Sequence, residues 1–155
     1  MNDVKLSPFK FEKFFIIESS IKRKKRLNDN LDLKYKILPS GIIDEDNKTF
    51  ELQLIVNIID DNGQFESKVI IVGIFEFKEV TRIENLNNYF YVNAPAIIFP
   101  YVRAYIAALT SLSGFETINL PPINVGILKD ELKGHIQIIN SSNQHQTTPQ
   151  TPLDL

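Results

Sequence analysis

The 155-residue chain contains no cysteine, which excludes a disulfide framework and any thiolate metal site. None of its six glycines falls in a Walker-type phosphate loop, so no nucleotide cycle and no cofactor are expected. Charge of neither sign is in excess. The formal net charge of −2 argues against a protein built mainly to bind nucleic acid or an anionic membrane. Residues 1–10 lack the apolar stretch of a signal peptide. No apolar run approaches the roughly 20 residues that a membrane helix needs. The expectation is a cytoplasmic, soluble chain without membrane insertion. What remains is ordinary globular material: 43% apolar residues, enough for one domain with a real core.

Strand patterns fill the first half. Residues 9–21 read as a long strand with Phe9, Phe11, Phe15, Ile17 and Ile21 on one face and Phe14 and Ile16 on the other. Leu31, Leu33, Tyr35 and Ile37 alternate with Asp32, Lys34 and Lys36 in a half-buried second strand. Pro39 to Gly41 and Asp44 to Asn47 mark a loop. Phe50, Leu52, Leu54, Val56 and Ile58 make the third strand, and Asp60-Asp-Asn-Gly63 is a hairpin signal. The fourth, about 65–80, is apolar on both faces, with Val69, Ile71, Phe75 and Phe77 against Ile70, Val72 and Ile74. Gly73 in its middle predicts a bulge or a close backbone approach. Strands apolar on both sides need covering on both, so helices are expected on one face and another subunit on the other.

From about 95 to 112 the period becomes helical. Val102, Tyr105, Ile106, Leu109 and Leu112 form one stripe; Ala104, Ala107, Ala108 and Ser111 form the opposite one. Those alanines suit either a partner helix or the protein's own sheet. Pro95 fits a first turn, whereas Pro100 predicts a restart or a kink, and Gly114 predicts the stop. A weaker helical pattern covers 125–139. The domain is expected to span 1–139, with a polar, disordered tail over 140–155.

Three segments carry a resemblance: Phe99-Pro-Tyr-Val-Arg103, Leu120-Pro-Pro-Ile-Asn124 and Val72-Gly-Ile-Phe75. In this order and spacing they resemble the SecB family of export chaperones, over about residues 9–139. The resemblance implies an α+β fold, a four-stranded antiparallel sheet followed by a long helix and a shorter C-terminal helix. It further implies a non-enzymatic, ATP-independent holdase, assembled as a homotetramer (a dimer of dimers), that binds unfolded polypeptides in apolar grooves. Matching groove positions are Leu31, Leu33, Tyr35, Tyr105, Phe115, Leu120, Ile123, Val125 and Leu128. The implied role is preprotein export through the Sec pathway, or protection of a dedicated client such as an antitoxin.

Departures from the family pattern are specific. The crossover between strands one and two is short, and the tryptophan that the family carries there is absent. In the family, acidic residues on strands one and four dock the SecA motor. Here Glu18 keeps one such charge while Lys22 and Lys68 occupy the other matching positions, and the tail is not acidic, which argues against SecA as a partner.

Other constellations are weaker. Lys22 to Arg26 is the densest charge cluster, yet no second basic stripe supports a phosphate-binding track. A solvated loop, edge protection or contact with an acidic protein fits it better. Asp44, Glu45 and Asp46 lack the twelve-residue calcium-loop pattern, so no metal site is read. His135 and His145 have no partners for catalysis. Arg103, if buried, needs a carboxylate or carbonyl partner.

Overall fold

Thr49–Asp60 shows the rule that builds the molecule. Its even residues Phe50, Leu52, Leu54, Val56 and Ile58 are fully buried, while the odd ones stay partly exposed, the period-2 alternation of a sheet covered on one side. The computed structural model describes residues 7–26, 30–78 and 87–142. Its strands are β1 (Phe9–Arg23), β2 (Leu33–Asp44), β3 (Thr49–Asp60), β4 (Phe65–Phe77) and a short β5 (Ile136–Ile139). Its helices are α1 (Ala94–Leu112) and α2 (Val125–Lys133). The sheet order is β1-β4-β3-β2-β5, antiparallel except for the parallel β2–β5 pair. The α+β fold agrees with the expected class, with one strand more.

Strand β1 differs from its expected alternation. Register shifts between Phe11 and Lys13 and between Ile16 and Glu18 insert an extra residue twice, and each bulge reverses which face the following side chains take. Phe14 and Ile16 therefore continue the inner face of Phe9 and Phe11, and Phe14 stacks on Tyr101 of α1 at 4.3 Å. Phe15 and Ile17 are thrown outward, 42% and 53% exposed.

Pro39 to Gly41 do not form the expected loop; β2 runs through them to Asp44, and the turn shrinks to residues 45–48. Gly41 N donates outward to His135 O at 3.0 Å. Pro39, two residues earlier, has the same orientation, so its missing N–H costs no bond to β3. Gly41 itself admits the Phe50 ring, whose Cε2 would lie 2.6 Å from an added Cβ.

The inner face is sealed by α1. Phe9, Phe50, Phe75, Phe77 and Phe90 pack as one aromatic cluster, with Phe9–Phe75 centroids at 4.9 Å and Phe50–Phe90 at 4.8 Å. Phe90 belongs to a π-helical turn (Tyr89–Asn93) that leads directly into α1. Ile98, Val102, Ile106 and Thr110 form the buried stripe, whereas Leu112, expected on it, is 87% exposed. Ala104, Ala108 and Ser111 are exposed and do not face the sheet. At Gly73 the helix comes so close that an added Cβ would meet Ile98 Cγ1 at 2.7 Å; this is the close approach its position predicted, and no bulge occurs in β4.

Helix α1 continues through Pro100 without a restart. The carbonyl of Ala96, which Pro100 cannot serve, belongs to an exposed residue, where a lost helix bond is least costly. The helical run Tyr89–Leu112, with mean hydropathy 1.3, is long and apolar enough by composition to cross a membrane, despite the expectation that no such run exists. Core helices of soluble proteins pass the same test, and this one is held on the sheet.

The second helix ends at Lys133, short of residue 139. Gly134 breaks it and β-branched Ile136, Ile138 and Ile139 pair with Gly41–Asp44 as β5. Asn140 and Ser141 then bond Glu45 and Asp46, so the polar tail begins docked on the β2–β3 turn. Residues 143–155, including His145, lie outside the described residues.

Candidate functional site

Helix α1 ends in a Schellman motif. Gly114 takes φ +74°, Phe115 N donates to Thr110 O at 3.1 Å, and Gly114 N to Ser111 O at 3.3 Å. This stop turns Phe115 inward, stacked on Phe65 at 4.3 Å. Arg23 braces it from outside. Its Nη1 donates to Gly114 O at 3.2 Å, and its guanidinium lies 5.8 Å from the Phe115 centroid. Thr110 Oγ1 accepts from Ile118 N at 3.0 Å and donates to Ile106 O at 2.8 Å. The segment after the helix is thereby tied down before it reaches Pro121 and Pro122.

Beyond the prolines, Asn124 caps α2, its Oδ1 accepting from Gly126 N at 3.0 Å and Ile127 N at 3.3 Å. The chain from Gly114 to α2 thus runs beside β2 as a fixed but irregular wall. Between wall and strand lies a trough in two joined parts. A cavity of about 580 Å³ is bordered by Arg23, Asn30, Leu31, Leu33, Tyr35 and residues 114–119. One of about 330 Å³ continues past Tyr35 along Lys36, Ile37, residues 120–124, Ile127, Leu128 and Glu131.

Of the residues matched to a groove, the structure brings Leu31, Leu33, Tyr35, Phe115, Leu120, Ile123 and Leu128 together here. Leu120 and Leu128 form buried floor, and Tyr35, 40% exposed, joins the two parts. Val125 borders neither part. Tyr105 stands elsewhere: its hydroxyl meets Ser19 Oγ at 2.9 Å over β1. Ile37, Ile127, the Pro121–Pro122 pair and Arg23 were not singled out as lining. The prolines belong to a segment that carries the family resemblance, but their place on the wall depends on how β2 and α2 pack.

Glu18, Lys22 and Lys68 lie together on the opposite, outward face of the sheet. Lys68 Nζ pairs with Glu18 Oε1 at 3.2 Å across β1 and β4, so the one retained carboxylate has a cation beside it. Around them Phe15, Ile17, Ile55, Ile70, Val72 and Ile74 form an apolar surface. Val72 and Ile70 are themselves buried, 2% and 8% exposed.

Two carboxylates beside the strand turns have lowered pKa values. For Asp60, burial pushes upward but is outweighed by N–H donors from Gln64, Asp32 and Asn62. For Asp44, the backbone N–H of Asn47 is the main cause, followed by its side-chain amide. Both hold turns and neither points into the trough.

The fold is thus a sheet covered on one face by a long helix, with a trough beside its second strand that mixes polar and apolar groups up to Tyr35 and is mainly apolar beyond it. The sequence model described as "Preprotein translocase subunit SecB" matches residues 17–131, and this chain belongs to the SecB family. Curated relatives include the protein-export protein SecB of Neorickettsia sennetsu, 34% identical over 56% of this chain and 58% of that protein. That of Bartonella quintana is 27% identical over 79% of this chain and 76% of its own length. The Neorickettsia match and one to Azoarcus SecB (54% of that protein) span little more than half the length of those relatives. Among solved structures, the SecB-like chaperone of Mycobacterium tuberculosis in complex with a ChAD peptide from the HigA1 antitoxin superposes with TM-score 0.64 at 13% identity. The match covers 76% of this chain and 88% of that one, a likeness of fold.

Proposed function

We propose that this protein is a cytoplasmic, ATP-independent holdase that keeps polypeptides unfolded and soluble by taking apolar segments into the β2 trough. The observation that carries this reading is the open trough beside β2 in a SecB-family fold, with Leu31, Leu33, Tyr35 and Ile37 left partly exposed on one side and Ile123 and Ile127 on the other. Burial of apolar surface is non-directional and scales with area, so such walls accept many sequences. One client aromatic gives about 4 kcal/mol gross, from roughly 150–250 Å² at about 25 cal/mol per Å². Ordering the client offsets much of that, and several troughs on one oligomer restore affinity through effective concentration. Self-association as a dimer of dimers would cover the exposed alanine face of α1.

Two client ranges fit this mechanism: preproteins bound for export, and one dedicated client such as an antitoxin. The Glu18–Lys68 pair favours the second, because the outward face where an acidic motor-docking patch is expected is charge-compensated. The test is light scattering of a chemically denatured protein diluted into buffer without nucleotide, together with the solution mass. Protection by an oligomer is expected; a lone protomer that leaves the test protein to precipitate would end the reading.

A further inference from the structure

The trough has a second property that apolar lining does not require: it lies over an open strand edge. Successive β2 residues turn their backbone groups alternately toward β3 and away from it. Gly41 N donates outward to His135 O, so Leu33, Tyr35 and Ile37 turn their N–H and C=O groups to the same outer side. Among the described residues these groups have no hydrogen-bond partner. Lys36, whose side chain takes the opposite face from Tyr35 and Ile37, also borders the trough, which places the opening at the edge itself.

Both ends of this open stretch are fixed. Before it, Asp32 is turned inward, its N–H donating to Asp60 Oδ1 at 2.9 Å and its carbonyl accepting from Asp61 N at 3.1 Å. After it, Pro39 has no N–H to offer, and from Gly41 onward β5 occupies the edge. The usable edge is therefore Leu33–Ile37, with three outward residues and a hard stop.

We propose that β2 receives its client as an added β-strand in one register, bonded to the backbone of Leu33, Tyr35 and Ile37 and ended by Pro39. The occupant is an extended polypeptide segment with apolar side chains at every second position. One row of its side chains enters the space between Tyr35, Phe115 and Ile123; the other row faces away and is unrestricted. Main-chain bonds supply affinity for any sequence, and alternation supplies the selection. A segment with proline where its N–H must reach β2 is rejected. This inference rests on the holdase reading and adds its geometry.

The deciding experiment is an N-methyl scan of a short labelled peptide of alternating leucine and threonine, read by fluorescence anisotropy against the full-length protein. Methylation is expected to weaken binding about tenfold at alternate positions and hardly at all between them. Loss that follows no alternation overturns strand addition while leaving the holdase reading intact. No binding of the unmodified peptide, together with no protection against aggregation, overturns both. A matched pair of variants checks the protein side. Tyr35→Ala and Tyr35→Pro both remove the ring, but only the second removes an outward N–H, at a position where Pro39 shows proline to be compatible with β2. Tyr35→Pro is expected to bind about tenfold more weakly than Tyr35→Ala; equal affinities of the two folded variants would overturn the proposal.

Discussion

Two stretches of one sheet turn apolar residues toward the same side, and only one of them is closed over. Under α1, Gly73 lets Ile98 down onto β4 while Phe90 fills the space between Phe50 and Phe77. Beside β2, Leu33, Tyr35 and Ile37 face the same way, but the covering chain has left its helix at Gly114 and passes through Pro121 and Pro122. A helix presents a regular stripe that interlocks with a sheet; a proline-fixed segment keeps its distance. The difference teaches that an apolar opening survives where the covering backbone is pinned at both ends and denied a regular form. Here the pins are the Schellman motif with Thr110 at one end and the Asn124 cap at the other.

The sealed region should break most severely. Phe90→Ala is expected to cost about 3–5 kcal/mol by leaving a cavity beside the rings of Phe9, Phe50 and Phe77, measured by denaturant unfolding. Gly73→Val should cost about 1–3 kcal/mol by overpacking against Ile98. If either proved neutral, the helix would not be closing the sheet as described. The trough should show the reverse pattern. Changing Leu33 and Tyr35 together to Ser should lower stability by less than about 2 kcal/mol while abolishing most protection in the aggregation assay. Unaltered protection would remove β2 from client binding.

How much of this contrast can be read from residues alone depends on how local its cause is. The alternation of β3, the hairpin at Asp60–Gly63 and the stop at Gly114 are set by neighbours in sequence, and all three stand as expected. The two bulges of β1 are not local in that sense. Nothing in Phe-Glu-Lys-Phe-Phe announces that Glu12 will be skipped, so simple alternation puts Phe15 and Ile17 on the wrong face. Pro39 reads as a loop until its outward orientation is known, and Ile136–Ile139 reads as helix until Gly41 is seen to need a neighbour. In the trough, Leu31, Leu33, Tyr35, Phe115 and Leu120 follow from family resemblance. Arg23, Ile37 and Ile127 depend on how distant segments meet, and Tyr105 faces β1 instead.

Acid should weaken the hairpin side of the comparison more than the sealed core. Asp60 is held below its ordinary value of 3.8, so the unfolded chain takes up its proton more readily than the native one. The stability it contributes is present above that ordinary value and is lost as pH falls through the lower native one. Asp60→Asn should therefore be destabilising at pH 7, with the difference from the parent shrinking by about pH 3. A difference that stays constant with pH would assign the effect to packing.

The smallest effect is expected on the outward face, and it sharpens the comparison because that face exposes Phe15 and Ile17 yet lies away from the β2 trough. Glu18 and Lys68 are both well exposed, so their pair contributes only about 0.2–1 kcal/mol, and Lys68→Glu should barely move the unfolding midpoint. Its effect on association is a different matter. The substitution puts two carboxylates side by side where one was compensated, beside Phe15, Ile70 and Val72, and leaves the β2 trough untouched. If the compensated charge is what keeps an acidic-patch-dependent partner away, Lys68→Glu combined with Lys22→Glu should create salt-sensitive binding to the SecA motor. Aggregation protection should stay as it was. Should protection fall in the same variant, the outward face would be handling clients too, and the division between a closed core, an open trough and a silent outer surface would not hold.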